Sequence, residues 1–79
     1  MDVLAVFKEG KRHPTPLRFK ITEFGEEKTV EVAEILKEED VGAGGVARIE
    51  YTCVSAGSRG KIHYKLCYYY NKGSWELRR

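Results

Sequence analysis

The last twenty residues constrain the fold most strongly. Lys61-Ile62-His63-Tyr64-Lys65-Leu66-Cys67-Tyr68-Tyr69-Tyr70 alternates polar and apolar side chains through its first half. Asn71-Lys72-Gly73 is a turn signal, and Ser74-Trp75-Glu76-Leu77-Arg78 alternates again. A period of two sends successive side chains to opposite faces of a strand, so the segment reads as a β-hairpin. Two rules disagree about its register. Turn chemistry favours a three-residue loop over Asn71-Lys72-Gly73, with Gly73 left-handed in a bulge, which sets Trp75 opposite Tyr69 and Leu77 opposite Cys67. Hydrophobic pattern favours an even loop, which puts Trp75 and Leu77 on the face of Tyr64, Leu66 and Tyr68. A one-residue slip turns every side chain over, so both rules hold only if the Leu66–Tyr69 segment carries a bulge. The sequence leaves open whether Tyr68 or Tyr69 faces the core.

Similar signals recur upstream, with turn residues between them. Val3-Leu4-Ala5-Val6-Phe7 is long enough for a short buried strand. Gly10, Pro14 and Pro16 interrupt the next stretch of chain, since proline cannot donate to a ladder. Leu17-Arg18-Phe19-Lys20-Ile21-Thr22 alternates, with three apolar side chains on one face. Phe24-Gly25-Glu26-Glu27 reads as a turn. Thr29 to Asp40 is ambiguous: Val30 and Val32 alternate like a strand, while Val32, Ile35 and Leu36 also suit a helix. A strand bulged near Ala33 is expected, with a short helix near residues 33–39 as the alternative. A flexible connector at Val41-Gly42-Ala43-Gly44-Gly45 leads to a strand from Val46 to Val54, then a loop over residues 55–60. The fold class is therefore all-β: an antiparallel meander of five to six strands, rolled into a small barrel or an open roll. Its expected core is Leu4, Val6, Leu17, Phe19, Ile21, Val30, Val32, Ile49, Tyr51, Ile62, Tyr64, Leu66, Trp75 and Leu77.

Seventy-nine residues make one domain, residues 1–79, of modest core. Two cysteines without a CxxC are too few for a secreted disulfide scaffold and lie at no zinc-binding spacing. No apolar run approaches a membrane span, and no signal-peptide core is visible. A cytoplasmic location is the expectation. The net charge of +2 hides three blocks. Residues 1–22 carry five Lys/Arg against two acids, residues 23–50 nine acids against three bases, and residues 51–79 six bases against one acid. Solvated charge with internal pairing is the ordinary reading of such blocks.

Val41-Gly42-Ala43-Gly44-Gly45-Val46-Ala47-Arg48-Ile49-Glu50-Tyr51-Thr52-Cys53 resembles the "AGG…I.YTC" stretch of a family of small cytoplasmic β proteins of unknown function from anaerobic Gram-positive bacteria. The Tyr-rich strand, Gly turn and Trp strand of that family resemble Tyr69-Tyr70-Asn71-Lys72-Gly73-Ser74-Trp75. The strand before its Gly-rich connector resembles Val32-Ala33-Glu34-Ile35-Leu36. The resemblance covers roughly residues 30–77. It implies a small, mostly β, cytoplasmic bacterial protein, and it brings no catalytic residues.

Residue chemistry points to no enzyme. No Ser/His/Asp set, metal cluster or cofactor motif is visible, so no catalytic, cofactor or metal residues are assigned. The Gly42–Gly45 run lacks the Gly-Lys-Ser/Thr ending of a phosphate loop. Cys53 follows two inward apolar residues and reads as a small buried hydrophobe. Cys67 reads as the more exposed thiol, with Lys65 or His63 able to stabilise a thiolate. The two cysteines are expected at opposite ends and on opposite faces of a hairpin, with no disulfide. His13 reads as a solvated turn residue. One constellation carries binding chemistry: Arg18 and Lys20, Arg48, and Lys61, His63 and Lys65 project from three strands. If those faces adjoin, with Tyr69 exposed for stacking, they form a site for single-stranded nucleic acid. Lysine on exposed strands is also the ordinary guard against edge aggregation. The expectation is a non-enzymatic binding or accessory module acting through protein–protein contacts, at an open edge strand or at the aromatic C-terminal hairpin. Nucleic-acid binding is the alternative, and the choice between monomer and edge-strand dimer stays open.

Overall fold

The computed structural model describes residues 1–42, 47–57 and 60–78. Among these residues there are seven strands and no helix: β1 Val3–Val6, β2 Thr15–Glu23, β3 Glu26–Glu31, β4 Glu34–Val41, β5 Arg48–Gly57, β6 Gly60–Tyr69 and β7 Ser74–Arg78. They form two antiparallel sheets, ordered β1-β2-β3 and β4-β5-β6-β7. The fold is thus all-β, with seven strands where five to six were expected, and it is not a closed barrel. Each sheet keeps two open edges.

The segment expected as one bulged strand over residues 29–40 is two strands in two sheets. Val32 N–H donates to Leu17 C=O of the first sheet at 2.9 Å, and Ala33 N–H donates to Val54 C=O of the second at 2.8 Å. Adjacent amides thus belong to different ladders, and the chain turns a corner between them. Ala33 is thus at a corner and not at the expected bulge; a separate bulge lies between Ile35 and Lys37, leaving Leu36 unpaired and half exposed. The helix alternative for residues 33–39 fails for the same reason: these backbone groups pair with β5.

β2 meets the second sheet at more than one strand. Thr15 at its start sits beside Ile35 and Leu36 of β4, and Phe19 packs edge-on against Tyr64 of β6 at 5.2 Å. Between the sheets lie Phe19, Ile21, Val30, Ile49, Tyr51, Cys53, Tyr64 and Leu66, all buried. The Tyr51 hydroxyl donates to Pro14 C=O, so the segment entering β2 is tied to the centre of β5. Val32, Trp75 and Leu77 pack at the rim of this core.

Four expected core residues are outside it. Leu4, Val6, Leu17 and Ile62 are 46%, 38%, 37% and 46% exposed. In β1 the phase is shifted by one: Val3 faces Phe19 and Ala5 faces Pro16, while Leu4 pairs with Arg18 on the outer side. β1 itself alternates without a break, whereas a register shift between Leu4 and Ala5 leaves Leu17 as the extra residue of β2 and turns it outward. Pro16, expected to end a strand, sits within β2 and is buried beside that bulge, a position where a missing N–H is tolerated.

The C-terminal hairpin resolves in favour of hydrophobic pattern. Tyr69 pairs with Ser74, Tyr68 with Trp75, and Leu66 with Leu77, around a four-residue loop. Gly73 is left-handed at φ 67°, as turn chemistry asks, and its N–H closes the loop onto Tyr69 C=O at 2.8 Å. Tyr68 is therefore the inward tyrosine. The β5–β6 connection is tighter than the six residues expected: Gly57 pairs with Gly60, so Ser55 and Ala56 belong to β5 and Lys61 follows within β6. Residues 58–59 of that connection, and Ala43-Gly44-Gly45 of the Gly-rich connector, lie outside the described residues.

Candidate interaction surface

The seven candidate residues for nucleic-acid binding divide between two outer faces. Arg18 and Lys20 project from the first sheet, where Arg18 pairs with Glu31 at 3.6 Å and Lys20 with Glu27 at 3.5 Å. Glu31 is the direct cross-strand partner of Arg18, so the pairing follows from register. Arg48 and Lys65 project from the outer face of the second sheet. Both reach Glu50, at 2.8 Å and 3.7 Å. Arg48 and Lys65 hold the Glu50 carboxyl below its ordinary range, chiefly through the Arg48 hydrogen bond. Tyr69 lies on this same face but is engaged: its hydroxyl accepts from Arg78 at 3.1 Å, and Arg78 also bonds Glu76. Lys61 and His63 are exposed and form no ion pair among the described residues. Four of the six cations thus have a glutamate; alternation places Arg48, Lys61, His63 and Lys65 with Tyr69 on the outer face of the second sheet, while Arg18 and Lys20 belong to the first.

Cys67 lies under this lattice. It pairs with Glu50 on one side and Glu76 on the other, and it is fully buried rather than exposed. Burial pushes its thiol up, away from thiolate, which argues against a reactive role for it. Cys53 is buried as expected, on the inward face beside Tyr64, with its thiol pushed up to about 11 by desolvation. Both cysteines are free. His13 is not simply solvated: its ring lies 5.4 Å from that of Tyr70.

The open edges differ in their chemistry. β3 carries Glu26, Glu27, Lys28 and Glu31; β4 carries Glu34, Lys37, Glu38, Glu39 and Asp40; β7 carries Glu76 and Arg78. Charge of this kind discourages pairing with another chain. β1, Val3-Leu4-Ala5-Val6, carries none. Its ladder to β2 extends one residue further, since Asp2 C=O accepts from Lys20 N–H at 3.0 Å. Alternation along a strand then aims the backbone groups of Val3 and Ala5 at the open side.

At the Met1–Leu4 end of this strand is a hollow of about 600 Å³ of mixed character, lined by Met1 to Leu4, by Arg18, Phe19 and Lys20 of β2 and Thr29 of β3, and, from the C-terminal hairpin, by Gly73 and Trp75. The Trp75 indole is held from behind by Tyr51 at 5.6 Å and Tyr68 at 4.7 Å. The two surfaces singled out in the sequence, an open edge strand and the aromatic hairpin, are therefore walls of one cavity. Sequence reasoning placed Leu4 and Val6 in the core and so missed this edge. The signal that would have found it is the absence of charge in β1, against its abundance in the other edge strands.

No group of three or more His, Cys, Asp or Glu side chains among the described residues is placed to hold a metal ion, and no helix is long and apolar enough to cross a membrane. Compared with protein-family models, with curated proteins and with solved structures, the chain has no match.

Proposed function

We propose that the chain is a non-enzymatic protein-binding module that takes up an extended strand of its partner on the open edge of β1. The observation that carries this reading is the charge-free edge beside the Trp75 hollow. Strand addition draws its affinity from main-chain hydrogen bonds and its selectivity from pockets for alternate side chains. β1 supplies the first through Val3 and Ala5, and the hollow supplies the second. The glutamates that bridge Arg18, Lys20, Arg48 and Lys65 also support a protein partner over a polyanion, because a phosphate would have to displace them.

Amide hydrogen exchange tests the reading. With an extended peptide of alternating valine and threonine in excess, the Val3 and Ala5 amides become protected, while the Glu38 and Glu39 amides of the charged β4 edge keep their rates. Unchanged rates at Val3 and Ala5 across a range of such peptides would overturn it.

A further inference from the structure

We infer that the strand taken up by β1 is β1 of a second copy of this chain, paired antiparallel about a two-fold axis at Ala5. This rests on the strand-addition reading and names its partner. Placing Ala5 opposite the partner's Ala5 puts Val3 opposite the partner's Phe7, Leu4 opposite the partner's Val6, and Asp2 opposite the partner's Lys8; Phe7 and Lys8 lie just beyond β1 in the single chain, so the strand lengthens by two residues on pairing. Three independent features of one chain are satisfied at once by this register.

The first feature is charge. Asp2 and Lys8 bracket the uncharged strand with opposite signs, and neither forms an ion pair among the described residues. The antiparallel register brings each against the other's counterpart, twice per dimer, and opposite charges directly across a ladder are favourable. A parallel pairing would set like charges side by side. The second is backbone direction. Asp2 C=O is used by Lys20, so the odd residues Val3 and Ala5 offer their N–H and C=O groups outward. The register pairs odd residues with odd residues, as a hydrogen-bonded antiparallel ladder requires.

The third is side-chain fit. Phe7 is 72% exposed, with no apolar role in the monomer. In the dimer it stands beside Val3 of the other chain, next to a hollow whose apolar lining is Val3, Phe19 and Trp75 and whose charged lining is Asp2, Arg18 and Lys20. An aromatic ring buries a large apolar area in such a place. On the opposite face Leu4 meets the partner's Val6, and both are exposed in the monomer. The two three-stranded sheets become one of six strands. An isologous contact of this kind closes on itself and does not propagate into fibres.

Sedimentation equilibrium of the full chain tests the inference, from about 10 μM to about 1 mM, the range in which a small interface associates. The apparent mass rises from that of one chain towards twice that value. Ala5→Pro removes only an outward N–H, and it weakens association about tenfold or more by losing two ladder hydrogen bonds. Phe7→Ser weakens it without touching the monomer core. Asp2→Lys weakens it through like charges, and the Asp2→Lys/Lys8→Asp double variant restores it. Circular dichroism checks that each variant keeps its strands. A dimer indifferent to Ala5→Pro and to the charge exchange overturns the inference, as does a mass that stays at one chain throughout. In that last case the two proposals separate: a single chain whose Val3 and Ala5 amides are protected by the valine–threonine peptide leaves strand addition standing, and one that is not protected removes both.

Discussion

The β5–β6–β7 meander and the β1–β2 hairpin are built from the same kind of alternating sequence, yet only one keeps its phase. In the meander, nine consecutive pairs join β5 to β6 and five join β6 to β7, without a shift. Inward residues Tyr51, Tyr64 and Leu66 are buried, and Arg48, Glu50, Thr52, His63, Lys65, Glu76 and Arg78 line the outward face, interrupted by Val54 and Cys67. In the β1–β2 hairpin the register shifts after two pairs. Leu4, Val6 and Leu17 are left outside, with no charge on β1 to guard them. A long ladder makes a slip costly, because every side chain would turn over together. A four-residue strand beside a proline bulge loses little by it.

The sharpest way to break the comparison is to cut into each hairpin at matched leucines. Leu66→Ala in β6 removes a fully buried side chain and lowers the unfolding free energy by about 3 kcal/mol in a urea titration. Leu4→Ala in β1 changes it by less than about 0.5 kcal/mol. Equal losses would show that β1 buries more than its exposure indicates. Next in size is the tie between the two regions. Tyr51→Phe keeps the ring in the core but leaves Pro14 C=O without its donor, at a cost of about 1–2 kcal/mol. If urea midpoints of the wild type and this variant coincide, the β1–β2 segment is held by packing alone.

A smaller effect concerns the outer lattice of the meander. Glu50 is held below its ordinary carboxylate range in the fold, so its contribution is complete above about pH 4.5 and is lost as pH falls below that. Glu50→Gln therefore lowers stability by about 1 kcal/mol at neutral pH and flattens the decline on acidification. A variant curve parallel to the wild type through pH 5 to 3 would detach Glu50 from the acid sensitivity of the fold. The smallest effect is on polyanions. Fluorescence anisotropy with a labelled single-stranded oligonucleotide shows little association even at low salt, because Arg18, Lys20, Arg48 and Lys65 are already bridged to Glu31, Glu27 and a shared Glu50. Salt-sensitive binding at neutral pH would give the nucleic-acid alternative its support.

The sequence made the fold class and the central core legible because period-two patterning is local. Phe19, Ile21, Val30, Ile49, Tyr51, Tyr64 and Leu66 are all where alternation puts them. The hairpin register was undecided, and the structure shows why: a four-residue loop still places Gly73 at positive φ, so turn chemistry did not require the three-residue loop. What was not legible depends on distant partners. Nothing near Val32 and Ala33 announces that one amide pairs with Leu17 and the next with Val54. The outward turn of Leu17 depends on a register shift in its pairing with β1. Whether the cations form a field or a set of bridges depends on which glutamate lies across each strand. The charge-free edge was visible in the sequence, but only as an apolar run, which reads as core until its neighbours are known.

The two cysteines turn the molecule into its own recorder. Cys53 lies between the sheets and Cys67 under the outer lattice, and both thiols are shielded and reluctant to ionise. An alkylating reagent therefore waits on motion at each. Lifting β7 from β6 uncovers Cys67, whereas Cys53 waits for the sheets to part. The ratio of the two modification rates reads how often the edge peels compared with how often the whole domain opens, with no label added to the chain.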